Sequence, residues 1–347
     1  MGRELSMNRR DVLRVGLASG IPGLLGQPLR AQDDRPRVMT VRGPILPEEM
    51  GPTLAHEHVL VDFIGAREVS RDRYDADEVH RIALPHLRRI RDQGILTLVD
   101  CTPAYLGRDP VLLRRLSEAS GLHILTPTGY YGAVRGKYLP DHARTESADE
   151  LASRWLREWR EGIEGTGIRP GLIKLGADAG PLPEVHRKLV RAAARTHRAS
   201  GLTIAAHSGD GVAAMEALEI LRGEGLDGSA FIWVHANAEA DRRLHARAAE
   251  AGAWVEFDGI GPREVDRHVD LVRSMKAAGH LGRVLLSHDA GWYHVGEPGG
   301  GAYRPYDTLM ADFVPALRAA GLSEAEVRRL IVDNPRAAFA VRVRSAR

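Results

Sequence analysis

The sequence predicts an α/β fold, a TIM (β/α)8 barrel, on three observations. Eight short runs of β-branched and apolar residues recur from residue 50 onward, and longer amphipathic stretches separate them. Polar side chains able to hold a metal gather at the ends of these runs. In a closed parallel barrel the strand ends on one face carry the chemistry, so the third observation tests the first two.

The first run, TLAHEH, ends at His58 and places His56 and His58 one residue apart. Strand side chains at i and i+2 share a face, so the two imidazoles leave the chain together and Glu57 leaves on the other side. In a chain with 15 histidines the pair alone is weak, and the other runs must decide. The second and third runs are ILTLVDCT from Ile95 and HILTPTGYY from His123. The fourth, GLIKLG from Gly171, sets Lys174 between Ile173 and Leu175, where an amine is costly unless neutralised, paired or modified. LTIAAHSG from Leu202 brings His207, and FIWVHAN from Phe231 brings His235. WVEFDGIG from Trp254 is the seventh run; VLLSHDAGW from Val284 is the eighth and carries Asp289. Between the first two runs, Val79, Ile82, Leu87 and Ile90 recur at near-helical spacing with Gly94 as a stop, and later stretches end alike at Gly201 and Gly252. The tail SEAEVRRLIVDNPRAAFAV reads as two short closing helices, the first capped by Ser323.

Four imidazoles, one carboxylate and one amine at one barrel mouth supply ligands for two divalent metal ions about 3.5 to 4 Å apart. Two cations need a bridging anion. A lysine amine that has reacted with carbon dioxide is a carbamate, with one oxygen for each metal, and Lys174 is placed to be that group. Neutral imidazoles and carboxylates suit zinc, and also Co, Mn or Fe. Cys101 is the single cysteine, which excludes an intrachain disulfide and a Cys-rich zinc site; it reads as a small buried residue. His80, His86, His186, His197 and His245 fall on predicted helices and read as solvated.

The 48 basic and 46 acidic residues show no long run of one sign, which argues against a nucleic-acid surface and for a neutral small-molecule substrate. Arg9 and Arg10 precede a Gly-rich, mildly apolar stretch too broken to span a membrane. It resembles a twin-arginine export signal, with Asn8, Val12 and Arg14 replacing the Ser, Phe and Lys of that consensus. Residues 1–31 are therefore expected to be a signal segment cleaved near Ala31, and residues 32–347 a single barrel domain, periplasmic or secreted, with no stable membrane anchor after cleavage.

GPTLAHEHV resembles the opening signature of the phosphotriesterase family of the amidohydrolase superfamily, and IKLG, AAHSG, VHAN and SHD follow in that family's order. The resemblance implies that His56, His58 and Asp289 hold a buried metal, that His207 and His235 hold a more exposed one, and that carboxylated Lys174 and a hydroxide bridge them. It implies hydrolysis by attack of that hydroxide, with Asp289 accepting its proton. Tyr131 in PTGYY stands where lactonase-like members carry a tyrosine against the ester oxygen, and His288 before Asp289 also resembles that branch. The chain departs from the family at Ala238 and Gly259, where similar enzymes place an acidic residue and a His or Arg that support proton transfer, whereas Asp258 is kept. The segment AGWYHVGEPGGGAYRPYDT, with Trp292, Tyr293, Tyr303 and Tyr306, is expected to be a substrate lid. A homodimer is a further expectation.

The expected activity is hydrolysis of lactones or related carboxylic esters. Organophosphate triester hydrolysis and amide or cyclic-imide hydrolysis are the alternatives within the same site. A non-catalytic metal-binding barrel is the remaining one, disfavoured because all six ligand positions are filled.

Overall fold

The computed structural model describes Met1 and residues 35–346. Apart from Met1, the expected signal segment lies outside the described residues. A short antiparallel hairpin, Val38–Thr40 with Gly43–Ile45, precedes eight parallel strands. These are β1 (Thr53–Val61), β2 (Thr97–Asp100), β3 (His123–Leu125, resuming at Pro127–Thr128), β4 (Leu172–Ala177), β5 (Ile204–Ser208), β6 (Phe231–Val234), β7 (Trp254–Phe257) and β8 (Val284–Leu286). Each pairs with its sequence neighbour, and the break in β3 lets its first half pair with β2 and its second with β4. The ring closes where Asp289 N–H donates to the His56 carbonyl (3.1 Å) and His58 N–H donates to the Ala290 carbonyl (2.9 Å).

Each strand is followed by a helix: α1 (Ala76–Asp92), α2 (Pro110–Ser120), α3 (Ala148–Glu161), α4 (Glu184–Ser200), α5 (Gly211–Gly223), α6 (Arg242–Glu250), α7 (Val265–Ala277) and α8 (Val314–Ala319). Asp75, Asp109, Ser147, Asp210 and Asp241 cap five of them by accepting from backbone N–H groups of the first turn. α4 stops at Gly201, which takes a left-handed conformation (φ +77°) that only glycine adopts freely. The tail forms α9 (Glu324–Arg328) and α10 (Asn334–Phe339), capped at Ser323 with Glu326 reciprocating, but a π-helical turn at Arg329–Asp333 joins the two helices. No described helix is long and apolar enough to cross a membrane.

Alternation along the strands sorts side chains into two layers. Ile173, Leu175, Ile204, Ala206 and Trp233 face the helices; Leu172, Ala205, Ile232 and Val234 fill the barrel interior with Val99, Leu125 and Leu285. Lys174 alternates with the outward pair and is therefore an interior residue, almost fully buried. Val38, Met50 and Phe339 belong to the interior cluster and plug it from the chain's ends. Burying each large apolar side chain stabilises the fold by roughly 1.5–3 kcal/mol.

The helix expected between the first two runs is present as α1, with Val79, Ala83, Leu87 and Ile90 buried and Ile82 half-buried. Three expectations need correction. His186, His197 and His245 are buried, because each satisfies a ring nitrogen on a backbone carbonyl, of Gly132, Leu202 and Ala236 respectively. The eighth run is not one strand: β8 ends at Leu286, and a ninth strand, β9 (Gly291–His294), lies parallel along β1 with Gly291 opposite His58. The proposed lid is thus largely tied down. Tyr293 Oη donates to Glu78 (3.0 Å), Tyr306 Oη donates to the His58 carbonyl (2.8 Å), and Tyr303 bonds Tyr306 (2.5 Å). Only Trp292 of these aromatics turns toward the site.

Candidate metal centre

β1 supplies His56 and His58 from a stretch where its register with β2 shifts between Leu54 and Glu57, an irregularity that re-aims side chains. β4 supplies Lys174, β5 supplies His207, and His235 follows β6 in a left-handed conformation (φ +62°). Asp289 lies three residues beyond β8, also left-handed (φ +51°). The six residues expected from the sequence line one small cavity of about 110 Å³, with Tyr131 among them.

The donor set fits divalent cations because its nitrogens are oriented. His58 Nδ1 is engaged with Thr102 Oγ1 (2.7 Å), His235 Nδ1 with Asp258 Oδ1 (2.7 Å), and His56 Nδ1 with Asp258 Oδ2 (3.1 Å) and Glu256 Oε2 (3.2 Å). Each imidazole therefore keeps Nε2 for a ligand. His56 Nε2 lies 3.9 Å and His58 Nε2 3.2 Å from Asp289 Oδ1, an oxygen that is buried and makes no hydrogen bond. Lys174 Nζ stands 3.3 Å from His56 Nε2 and has no carboxylate within ion-pair distance among the described residues. Two ligand-sized groupings share His56: one with His58 and Asp289, the other with His235 and Asp258. We favour the first as the coordinating one, since Asp258 already accepts from both Nδ1 atoms.

Electrostatics favour the neutral ring at His56 and His207, whereas at His235 Asp258 outweighs burial and raises the ring above its ordinary value. Burial, then Lys174, pulls His56 down to about 3, and burial, His235 and Lys174 hold His207 well below its ordinary value, so both rings are neutral near pH 7, the state in which an imidazole can bind a metal. Burial works against ionisation of Asp258, yet His235 and His56 hold it well below the carboxylate range. Burial and the neighbouring Asp258 push Glu256 well above that range. Asp289 is depressed against burial by the adjacent His58 ring and the other imidazoles around it. Burial, then Asp289, raises Tyr131, which stays a phenol and a donor. Its ring packs 5.1 Å from that of His207, in room left by Gly176, where an added Cβ would come within 2.5 Å of the tyrosine.

Sequence reasoning missed the residue that aims the last ligand. Glu57, fully buried, accepts from Ser287 Oγ (2.6 Å), His288 N (3.1 Å) and Ala290 N (2.8 Å), and pairs with His288 Nδ1 (2.6 Å). It brackets Asp289 on both sides. His288 is thereby structural, its Nε2 accepting from Leu309 N (2.9 Å). The departure at Ala238 and Gly259 holds in space: both line a second, polar cleft of about 750 Å³ that shares His207, His235 and Asp289 with the small cavity. A Cβ at Gly259 would meet the Asn237 amide at 2.7 Å, so Asn237 occupies the room there.

A (β/α)8 barrel with buried His and Asp groups of metal-binding geometry at its strand ends defines a metal-dependent hydrolase. The phosphotriesterase family model matches residues 36–339, and the chain belongs to that family. It is 30% identical to a phosphotriesterase homology protein of Mycobacterium tuberculosis (strain ATCC 25618 / H37Rv) over 322 residues, covering 88% of this chain and 98% of the relative. It is 26% identical over 306 residues to an aryldialkylphosphatase of Saccharolobus solfataricus, covering 84% and 96%. A solved structure from the molecular engineering of organophosphate hydrolysis activity on a weak promiscuous lactonase template superposes with a TM-score of 0.79 at 29% identity, covering 88% of this chain and all of that one. Binuclear metal ions are typical of the family.

Proposed function

We propose that the protein hydrolyses carboxylic esters, lactones foremost. The observation that carries this reading is the division of the site. Around His207, His235 and Asp289 the structure offers two compartments: the cavity of about 110 Å³ walled by Phe63, Leu106, Tyr131, Tyr138 and Trp292, and the polar cleft of about 750 Å³. A carbonyl carbon carries two substituents beyond its oxygen and a triester phosphorus carries three. Two compartments suit the carbonyl.

When bound, two divalent ions would supply Lewis acidity toward a water and toward the substrate oxygen. His56, His58 and Asp289 would hold one and His207 and His235 the other, with Lys174 as its carbamate between them. Ionised Asp289 accepts the water's proton at a carboxylate oxygen and returns it to the leaving oxygen. The Tyr131 phenol donates toward the ester oxygen, and Phe63, Leu106 and Trp292 keep bulk water from the reacting carbon. Zinc is the metal that this donor set favours in our reading.

Triester hydrolysis is the second reading, supported by the names of the two relatives described above. The test is kcat/KM of the metal-loaded protein on γ- and δ-lactones, N-acyl homoserine lactones, aryl esters, a cyclic imide and a phosphotriester, with Asp289→Asn as the blank. Lactones are expected to exceed the phosphotriester by orders of magnitude; the reverse order overturns the proposal.

A further inference from the structure

The polar cleft has an unbalanced charge inventory. Its four carboxylates already have partners: Asp307 pairs with Arg89 (2.7 Å), Glu264 with Arg267 (3.3 Å), Asp258 with His235 and His56, and Asp289 faces His58 (3.2 Å) and His56 (3.9 Å). Arg263 and Arg304 line the same cleft and have no carboxylate partner among the described residues. Both arginines are exposed, and exposure alone says little. Arg304 differs because it is fixed from three sides. Its backbone bridges Gly291 in both directions (2.8 and 3.0 Å), its guanidinium lies 4.5 Å from the Trp292 ring centroid, and Nη2 donates to the Asp289 carbonyl.

A guanidinium held this way has already lost most of the freedom that binding would cost it, and its Nε and Nη1 donors have no acceptor among the described residues. Trp292 walls the small apolar cavity and Arg304 walls the polar cleft, so one stacked pair forms the partition between them. The arginine fork matches the paired oxygens of a carboxylate, phosphate or sulfonate.

We infer that the physiological substrate carries an anionic group on the side of the scissile bond that enters the polar cleft, and that Arg304, assisted by Arg263, selects for it. The inference rests on the acyl-hydrolase reading of the same site. It makes Arg304 a specificity residue and gives the substrate an apolar acyl end in the small cavity and a charged end in the cleft.

The test compares, on the metal-loaded full chain, a γ-butyrolactone bearing a ring carboxylate with the matching carboxamide, which is neutral and of equal size. The carboxylate is expected to be preferred about tenfold to a hundredfold in kcat/KM, mostly through KM, and the preference should shrink with added salt. Arg304→Met should bring the ratio near one, Arg304→Lys should restore part of it, and Arg263→Met should lower it partly; metal content is measured for each variant. Phosphate- and sulfonate-bearing lactones then rank the anions. Equal turnover of both lactones, or a ratio unmoved in both methionine variants, overturns the inference and leaves the acyl-hydrolase reading standing. If neither lactone turns over with both metals bound, that reading fails, and calorimetric binding of glutarate against glutaramate decides the inference: a glutarate preference lost in Arg304→Met supports it, and equal affinities overturn it.

Discussion

Fully buried between two histidines, the Glu57 carboxylate meets only donors: a hydroxyl, two backbone N–H groups and an imidazole. A Gln amide of the same shape must set a donor against a donor, so Glu57→Gln is expected to lose about 3 kcal/mol of unfolding free energy and to bind metal poorly. Urea denaturation with metal analysis checks this; a loss under about 1 kcal/mol would show that the turn around Asp289 is held by other contacts. Asp258 orients two imidazoles at once, and Asp258→Asn should weaken metal affinity about 10- to 100-fold, read by competition with a chromophoric chelator. At Lys174 the prediction has two arms. Lys174→Ala should abolish hydrolysis, whereas Lys174→Glu, which supplies a carboxylate without carbon dioxide, should keep part of it. Equal loss in both would count against a bridging anion at this position.

At the scale of elements, β9 on β1 decides whether the segment after β8 is a free loop or a strap. Gly291 (φ +91°) lies so close to β1 that an added Cβ would sit 1.8 Å from the His58 carbonyl. Gly291→Ala should therefore cost more than about 3 kcal/mol and lower the melting temperature, since both steric room and backbone angle forbid it. A melting temperature within a few degrees of the parent would show β9 to be dispensable. The eight barrel strands were legible in the sequence because each combines a dense apolar run with a terminal polar residue, and the clustering of the six candidate ligands was legible because they sit on or just past those ends. β9 was not, since its hydrogen bonds go to a strand more than 200 residues earlier and its own residues, Gly-Trp-Tyr-His, carry no strand pattern distinct from a loop. The roles of Glu57 and Asp258 were equally hidden: a buried carboxylate reveals its partners only once the chain has brought Ser287, Ala290 and His56 to it. Likewise His197 looked like a surface histidine until its two backbone partners were in view.

Across the whole molecule, His197 links the fold to its own C-terminus. Its Nδ1 bonds the Leu202 carbonyl (2.7 Å), its Nε2 accepts from Arg344 N (2.9 Å), and the Arg344 guanidinium donates to Thr203 and to carbonyls of residues 337, 338 and 340. Burial pulls His197 down to about 4. The unfolded chain titrates near 6.5, so between these values it takes up a proton that the folded chain refuses. The contribution is complete above pH 6.5 and is lost as pH falls through 4, up to about 3 kcal/mol in all. His197→Gln should flatten the pH dependence of unfolding in that window; an unchanged slope refutes the assignment. Removal of metal by a chelator should abolish hydrolysis and lower the melting temperature together, with both restored by a divalent ion, because binding to the folded state alone adds to stability.

Closure of the barrel joins the first strand to the turn after the eighth through Glu57, and this has a bearing on how the protein is made. A growing chain that has completed seven βα units lacks Asp289 and everything that Glu57 gathers around it. With Asp289 in its proposed role, hydrolytic competence arrives in a single step with the last unit, and products truncated before residue 289 are expected to be silent rather than weakly active. Turnover becomes a reporter of finished synthesis, usable to time the final docking event in a refolding or translation assay.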